Sequence, residues 1–211
     1  MSKKFILLKI LSFFSIVNSY NICIVGGSSG LGKELIYQGL ENNIKILALT
    51  NNPNNIKIPY RGGGLSSKET NICLSSPNLK IDTYNNIDNY NFNNIVFTTG
   101  GQPFENDYSD ELTKEILNKN LTNLKNIILL SADGVSDSLQ KSNLGIKIMN
   151  NWYLKDVYYN KNQQETYLNK FIEDSNIDLE ILRPKVLSYG ENLINAKSRQ
   201  ELASEIINSV F

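Results

Sequence analysis

The sequence predicts an α/β fold in which a doubly wound parallel sheet carries helices on both faces. Short apolar runs alternate along the chain with amphipathic segments, and this alternation is typical of parallel strands joined by helices. The first apolar run, residues 22–25, leads into a turn with three spaced glycines, Gly26, Gly30 and Gly32. The chain has 211 residues, enough for one such domain with a sizeable core. We therefore expect a single folded domain.

Each predicted strand is a short apolar run that ends in turn residues. The predicted strands cover residues 21–25, 45–50, 71–74, 94–99, 127–130 and 179–182. Residues 51–78 are rich in Asn, Pro and Gly, so they are predicted to form a loop that contains only the short strand at 71–74. The run at 94–99 ends in a pair of glycines, and the run at 179–182 ends in an Arg-Pro pair.

The helices are predicted from apolar residues that recur every three to four positions and so share one face. The first helix begins near Lys33, two more cover about residues 110–126 and 153–175, and the last begins at Ser198. Ser198 and Glu201 have the spacing of a capping box, in which each side chain binds the other residue's backbone N–H group.

The composition excludes several classes of function. Lys and Arg number 21, as do Asp and Glu, so the net charge is zero and no basic surplus indicates nucleic-acid binding. The chain contains no histidine, which excludes His-dependent triads, His general bases and most catalytic zinc sites. The two cysteines, Cys23 and Cys73, have no metal or redox spacing. Free thiols favour a reducing compartment, and a disulfide stays open as the alternative.

Residues 1–19 differ in composition from the rest of the chain. Lys3 and Lys4 precede an apolar stretch at residues 5–17, which is too short for a stable membrane span. The stretch is similar to a signal-peptide core and indicates targeting to an organelle or the secretory pathway. The alternative is an uncleaved extension that packs on a cytoplasmic domain. We divide the chain into this targeting segment and a folded domain over residues 20–211.

The glycine-rich turn has the context of a dinucleotide-binding loop. Because it follows a strand and opens a helix, backbone N–H groups and the positive helix end meet where a pyrophosphate can bind. The alternative is a plain glycine-rich turn between strand and helix. In a doubly wound sheet the ligand lies across the carboxyl ends of the strands. The cofactor-binding residues predicted there are Gly26, Ser28, Ser29, Gly30, Leu31, Gly32, Asn51, Thr99, Gly100 and Pro184.

The end of the second strand favours NADP(H) over NAD(H). An acidic residue there usually binds the ribose 2′-hydroxyl of NAD, whereas a basic residue favours the 2′-phosphate of NADP. Thr50, Asn51 and Asn52 include no acid. Lys33 and Arg61 are candidates for the phosphate's positive partner. The alternative is that both are ordinary solvated side chains.

Several motifs add a resemblance to a known family. They are Gly26-x-x-x-Gly30-x-Gly32, Ala48-Leu49-Thr50-Asn51-Asn52-Pro53, Leu130-Ser131-Ala132-Asp133-Gly134-Val135, Lys161 with Glu165, Ile181-Leu182-Arg183-Pro184 and Ser198-Arg199-Gln200-Glu201-Leu202-Ala203. Over roughly residues 21–211 the chain resembles the short-chain dehydrogenase/reductase superfamily, above all its atypical, NmrA-like or NAD(P)H-binding members. The resemblance implies a Rossmann-type NAD(P)-binding domain and no metal. It also implies that Lys161 holds the nicotinamide ribose and that Ser131 orients a substrate oxygen.

One family residue is missing from its usual place. The catalytic tyrosine of the superfamily stands four residues before the lysine, where this chain has Val157. That tyrosine usually donates the proton to a carbonyl. The catalytic residues that the resemblance implies are therefore only Ser131 and Lys161.

Two functions follow as open alternatives. The first is an NADPH-dependent reductase of a small organic molecule. The second is a non-enzymatic NAD(P)-binding redox sensor or complex-assembly factor, which the missing tyrosine favours. Lys161 favours some use of the nicotinamide end. The expected partners are a dinucleotide and an unidentified small molecule or protein, with no nucleic acid.

Overall fold

A six-stranded parallel sheet forms the centre of the molecule. The computed structural model describes residues 19–53, 56–62, 70–101, 107–141, 144–148, 152–189 and 196–211. The strands of the sheet are β1 (Ser19–Val25), β2 (Ile46–Leu49), β3 (Leu79–Asp82), β4 (Asn91–Phe97), β5 (Asn126–Leu130) and β6 (Asp178–Leu182). Their order is β3-β2-β1-β4-β5-β6, and every neighbouring pair is parallel. The predicted Rossmann-type fold is confirmed, and its topological switch point lies between β1 and β4.

Helices cover both faces of this sheet. They are α1 (Gly30–Glu41), α2 (Ser109–Leu117), α3 (Ser138–Lys141), α4 (Leu144–Ile148), α5 (Lys155–Ile172) and α6 (Arg199–Val210). The described chain also contains a 3₁₀ helix (Tyr84–Asn89) and two short paired strands, β7 (Leu187–Ser188) and β8 (Lys197–Ser198). α1 packs with α6, and α2 packs with α5.

The apolar core is divided into two layers by the sheet. Ile24 packs with residues of α1 and α6 on one face, while its neighbour Val25 packs on the other face with residues of α2 and α5. Both side chains are fully buried. Successive strand residues point to opposite faces, so a strand covered on both sides must be apolar throughout. This explains why β1 is a continuous apolar run where it enters the glycine turn.

The prediction of a strand at residues 71–74 was wrong. Cys73 forms only an isolated antiparallel bridge with Lys57, and the third strand of the sheet is β3, at Leu79–Asp82. β3 is an edge strand in which Lys80 is exposed and the other residues are only partly buried. Its sequence, Leu-Lys-Ile-Asp, therefore lacks the apolar run that marks the central strands. The helix predicted over 110–126 is also shorter and ends at Leu117.

The predicted targeting segment at residues 1–19 lies outside the described residues except for Ser19, which begins β1. The division of the chain into 1–19 and 20–211 therefore stays a prediction. Within the described residues, no helix is long and apolar enough to cross a bilayer. The two cysteines form no disulfide with each other; Cys23 is buried in β1, and Cys73 is exposed.

Candidate functional site

The glycine turn between β1 and α1 is fixed by close backbone contacts. Gly26 has a φ of +89°, and a Cβ there would lie 2.8 Å from Thr98 Oγ1. A Cβ at Gly32 would collide with the Gly26 carbonyl oxygen. Ser29 caps α1, because its Oγ accepts a hydrogen bond from Gly32 N at 2.9 Å and donates one to Thr98 Oγ1 at 2.9 Å. Gly26 and Gly32 are thus required by the turn itself.

Gly30 has a different environment, because it lies beside side chains from the other end of the chain. A Cβ at Gly30 would lie 2.8 Å from Arg199 Nε and 2.9 Å from the Tyr189 hydroxyl oxygen. The backbone N–H groups of Gly30 and Leu31 have no acceptor among the described residues, as is usual in the first turn of a helix. These two N–H groups are available to a ligand. The Leu31 side chain, in contrast, is buried in the core.

Two cavities open at the carboxyl ends of the strands and adjoin one another. The first, called here the α2 cavity, has a volume of about 550 Å³ and extends from Ser28 and Asn51 to α2. The second, called the α5 cavity, has a volume of about 630 Å³ and extends from Gly30 to α5 and α6. Both are lined by Ser29, Thr99 and Gly100. An elongated ligand that lies over these three residues would reach both cavities.

The two cavities differ in charge. Asp107, Glu111 and Glu115 line the α2 cavity, and no Lys or Arg is among its described lining residues. The α5 cavity has the opposite character, since Lys161 and Arg199 line it and no described Asp or Glu does. An anionic group is therefore favoured in the α5 cavity, beside the N-terminus of α1.

Lys161 lies at the wall of the α5 cavity. Its side chain is only 5% exposed. The ammonium donates hydrogen bonds to the carbonyl oxygens of Thr99 and, at 2.7 Å, of Leu130. Burial lowers the pKa of Lys161 to about 8, although nearby Asp107 and Glu165 oppose this shift. Lys161 thus joins α5 to the ends of β4 and β5.

Ser131 also lines the α5 cavity, but its hydroxyl is already bonded. It donates a hydrogen bond to Glu165, which also accepts bonds from Arg183 Nε at 2.9 Å and from Arg183 Nη2 at 2.7 Å. Burial by itself would raise the pKa of Glu165, but the bonds from Arg183 and Ser131 lower it below its usual value. The Ser131 oxygen can accept a bond from a ligand in this arrangement, while its proton is directed to Glu165.

No tyrosine replaces the missing family tyrosine next to Lys161 within the described residues. Val157 lines the α5 cavity at that place. The hydroxyl of Tyr158 points away and donates to the Asp133 carbonyl oxygen at 3.0 Å. The phenol that does line the cavity is Tyr189, which follows β7. Sequence reasoning missed it, and Tyr189 carries no sequence signal of its own.

The remaining predicted residues are placed differently from one another. Asn51 lines the α2 cavity. Pro184 is not among the described residues that line either cavity, and its carbonyl oxygen accepts a bond from Asp133 N at 3.1 Å. Arg61 donates to Glu34 at 3.0 and 2.8 Å, and its guanidinium lies 4.5 Å from the centre of the Tyr37 ring. Arg61 is therefore paired within the protein rather than exposed to solvent alone.

Comparison with known proteins shows likeness in structure only. No protein-family model matches the chain, and no curated protein matches it in sequence. The oxidoreductase ylbE from Lactococcus lactis is 17% identical with a TM-score of 0.61, covering 90% of this chain and 84% of its own. ChuY from Escherichia coli O157:H7, an anaerobillin reductase, is 14% identical with a TM-score of 0.56, covering 89% of each chain.

A third solved structure contains a bound dinucleotide. The Bordetella bronchiseptica enzyme WbmF, in complex with NAD⁺ and UDP, is 14% identical with a TM-score of 0.53. The match covers 81% of this chain and 51% of WbmF. The chain therefore shares the Rossmann-type fold of these three proteins. The resemblance that the motifs indicated is thereby confirmed as a likeness of fold.

Proposed function

We propose that the chain binds a nicotinamide dinucleotide across the α2 and α5 cavities. The observation that carries the proposal is the N-terminus of α1, where the N–H groups of Gly30 and Leu31 have no acceptor among the described residues and face a cavity lined by two cations. Backbone donors at a positive helix end are suited to a pyrophosphate. The dinucleotide seen in WbmF, a protein of the same fold, supports the same ligand class.

The dinucleotide would place its adenosine in the α2 cavity and its nicotinamide in the α5 cavity. Asn51, which follows β2, lines the α2 cavity, and the residues after β2 bind the adenosine ribose in this fold. Lys161 lines the α5 cavity. An ammonium has three donors, and two go to carbonyl oxygens of the protein. The third would hold the nicotinamide ribose.

The activity that fits this arrangement is reduction of a small organic molecule. The reduced nicotinamide supplies a hydride when it is bound. Ser131 would orient the substrate through its oxygen, whose proton is directed to Glu165. Because Val157 replaces the usual tyrosine beside Lys161, the product's proton would come from water rather than from a tyrosine–lysine pair.

A second function, an NAD(P)-binding redox sensor or assembly factor, is supported by the bonded state of Lys161 and Ser131. Both side chains already form hydrogen bonds within the protein that stabilise the fold. A direct experiment separates the two functions. The protein is titrated with NADPH and NADH by calorimetry, and oxidation of each is then followed with quinones, flavins and aldehydes. Turnover supports the reductase, whereas binding without oxidation of any acceptor supports the sensor.

The preference for NADP(H) is a finer part of the proposal. It is supported by the uncharged residues Thr50, Asn51 and Asn52 after β2. Arg61, one of the two cations that the sequence offered for the 2′-phosphate, is bound to Glu34. A 2′-phosphate would therefore compete with the Glu34 carboxylate for Arg61. Dissociation constants for NADPH and NADH at equal salt test the preference, and tighter binding of NADH would contradict it.

A further inference from the structure

Arg199 brings a guanidinium group to the N-terminus of α1, although it belongs to the first turn of α6. It lines the α5 cavity together with Gly30 and Leu31. A Cβ on Gly30 would lie 2.8 Å from Arg199 Nε. Only the absence of a side chain at Gly30 therefore allows the guanidinium to approach the two N–H groups that have no acceptor.

The guanidinium is held in place by the segment before α6. Arg199 Nη1 donates a hydrogen bond to the Leu187 carbonyl oxygen at 2.8 Å. The Tyr189 ring lies beneath the guanidinium, with 4.0 Å between the ring centre and Arg199 Cζ. A stacked arginine loses little freedom when it binds a ligand, so this side chain is organised before any ligand arrives.

The charge of Arg199 is poorly compensated by the protein. The chain contains three arginines. Arg61 is paired with the buried carboxylate of Glu34, and Arg183 with that of Glu165. Among the described residues, Arg199 forms no ion pair with a carboxylate. It also lies at the N-terminus of a helix, where the helix dipole disfavours a cation, and burial lowers its pKa.

An anion in the α5 cavity would compensate the positive charge of Arg199. A guanidinium presents paired N–H donors that match two phosphate oxygens. We propose that Arg199, held by Tyr189, binds the pyrophosphate of the dinucleotide together with the N–H groups of Gly30 and Leu31. The inference rests on the proposed function and adds to it a specific residue that binds the phosphates. The cation for the phosphates then comes from the C-terminal helix and not from the glycine turn.

The test measures binding of ADP-ribose, NADH and NADPH by calorimetry at low and at physiological salt. ADP-ribose keeps the pyrophosphate and lacks the nicotinamide. R199M is expected to weaken all three ligands by about 10- to 100-fold, the range of a charged hydrogen bond. It should also flatten the salt dependence of binding, because salt screens the lost charge pair. R199K keeps the charge and should retain the salt dependence with intermediate affinity.

A matched control is K197M, which removes a cation two residues away. Lys197 pairs with Glu205 and is not among the lining residues of the α5 cavity. K197M should bind all three ligands as the parent does. Thermal unfolding of each variant shows whether it is folded. If R199M is unfolded, Tyr189→Leu takes its place, because loss of the ring should weaken ADP-ribose binding several-fold.

The outcomes separate the inference from the proposed function. If the parent protein binds none of the three ligands, both fail. If the parent binds ADP-ribose and folded R199M binds it equally well with the same salt dependence, the dinucleotide site stands and the role of Arg199 is overturned. A loss in R199M that affects NADH but leaves ADP-ribose unchanged would also overturn it, since Arg199 would then serve the nicotinamide end or a substrate.

Discussion

The Lys161 ammonium donates a hydrogen bond to the Leu130 carbonyl oxygen at 2.7 Å, and a second to the Thr99 carbonyl oxygen. One side chain of α5 thereby joins the carboxyl ends of two neighbouring strands, β4 and β5. The family resemblance assigns this lysine to the cofactor. The hydrogen bonds show that it also has a structural task, which has measurable consequences.

Replacement of Lys161 by methionine is expected to destabilise the fold. Methionine fills much of the same space but leaves the carbonyl oxygens of Thr99 and Leu130 without their donor. Buried polar groups that lose a partner cost about 1–3 kcal/mol each. Because two carbonyl oxygens lose their donor, the free energy of unfolding, measured by urea denaturation, should fall by about 2–6 kcal/mol. An unchanged value would show that the ammonium contributes nothing to the fold.

The stability of the parent relative to K161M should rise with pH in the alkaline range. The pKa of Lys161 is lowered from 10.5 to about 8, so between these values the unfolded chain binds more protons than the folded one. Stability then increases with pH. A neutral amine keeps two donors, so both carbonyl bonds persist. Denaturation of both proteins from pH 7 to 10.5 checks this, and a constant difference would contradict it.

Glu165→Gln should remove a pH-dependent contribution on the acid side. The pKa of Glu165 is lowered by Arg183 and Ser131, so its contribution is fully present above the unfolded pKa and is lost as the pH falls through the folded pKa. E165Q should be less stable than the parent at neutral pH, by about 1–3 kcal/mol. The deficit should shrink toward pH 3. Ser131→Ala leaves the ion pair between Glu165 and Arg183 intact, so this variant should lose less stability than E165Q.

Two glycine substitutions should separate ligand binding from folding. Gly30→Asp puts a carboxylate against the far ends of the Arg199 and Tyr189 side chains, where the phosphates are proposed to bind. Because only these side-chain ends have to shift, the protein should fold and fail to bind a dinucleotide. Gly32→Ala places a methyl group against the Gly26 carbonyl oxygen, so it should lower the melting temperature clearly. Thermal unfolding and calorimetry of both variants measure the two effects. If G30D binds a dinucleotide with the parent's affinity, the phosphates do not bind at the N-terminus of α1.

Glu34→Gln should increase the preference for NADPH over NADH. The Glu34 carboxylate holds Arg61 through two hydrogen bonds, and its amide counterpart would hold the guanidinium less strongly. The freed cation should favour the 2′-phosphate several-fold, within the range of a charged hydrogen bond. The ratio of the two dissociation constants is the measurement. An unchanged ratio would show that Arg61 does not reach the cofactor.

Local sequence was enough to predict β1, the glycine turn and α1. The strand is covered on both faces and therefore apolar throughout. Within the turn, Gly26 is required by its positive φ and Gly32 by its contact with the Gly26 carbonyl oxygen. β3 escaped prediction because an edge strand with partly buried residues needs no such pattern. Its place in the sheet depends on pairing with β2, which is a tertiary interaction.

The site shows the same division between local and tertiary information. Ser29, Thr99 and Gly100 were predicted from their positions after strands, and all three line the cavities. Arg199 was noted in the sequence only as part of a helix-start motif, and Tyr189 was not predicted as a site residue. Arg199 reaches Gly30 because α6 packs against α1, a contact between residues far apart in the chain, and Tyr189 stacks on Arg199. The bond from Ser131 to Glu165 likewise depends on the packing of α5.

The passage between the two cavities is bordered by Ser29, Thr99 and Gly100, all of them small. A Cβ on Gly100 would already lie 3.0 Å from Lys161 Cε. A larger side chain at any of the three positions would separate the α2 cavity from the α5 cavity. A ligand that spans both cavities, as we propose for the dinucleotide, would have to cross these three small residues.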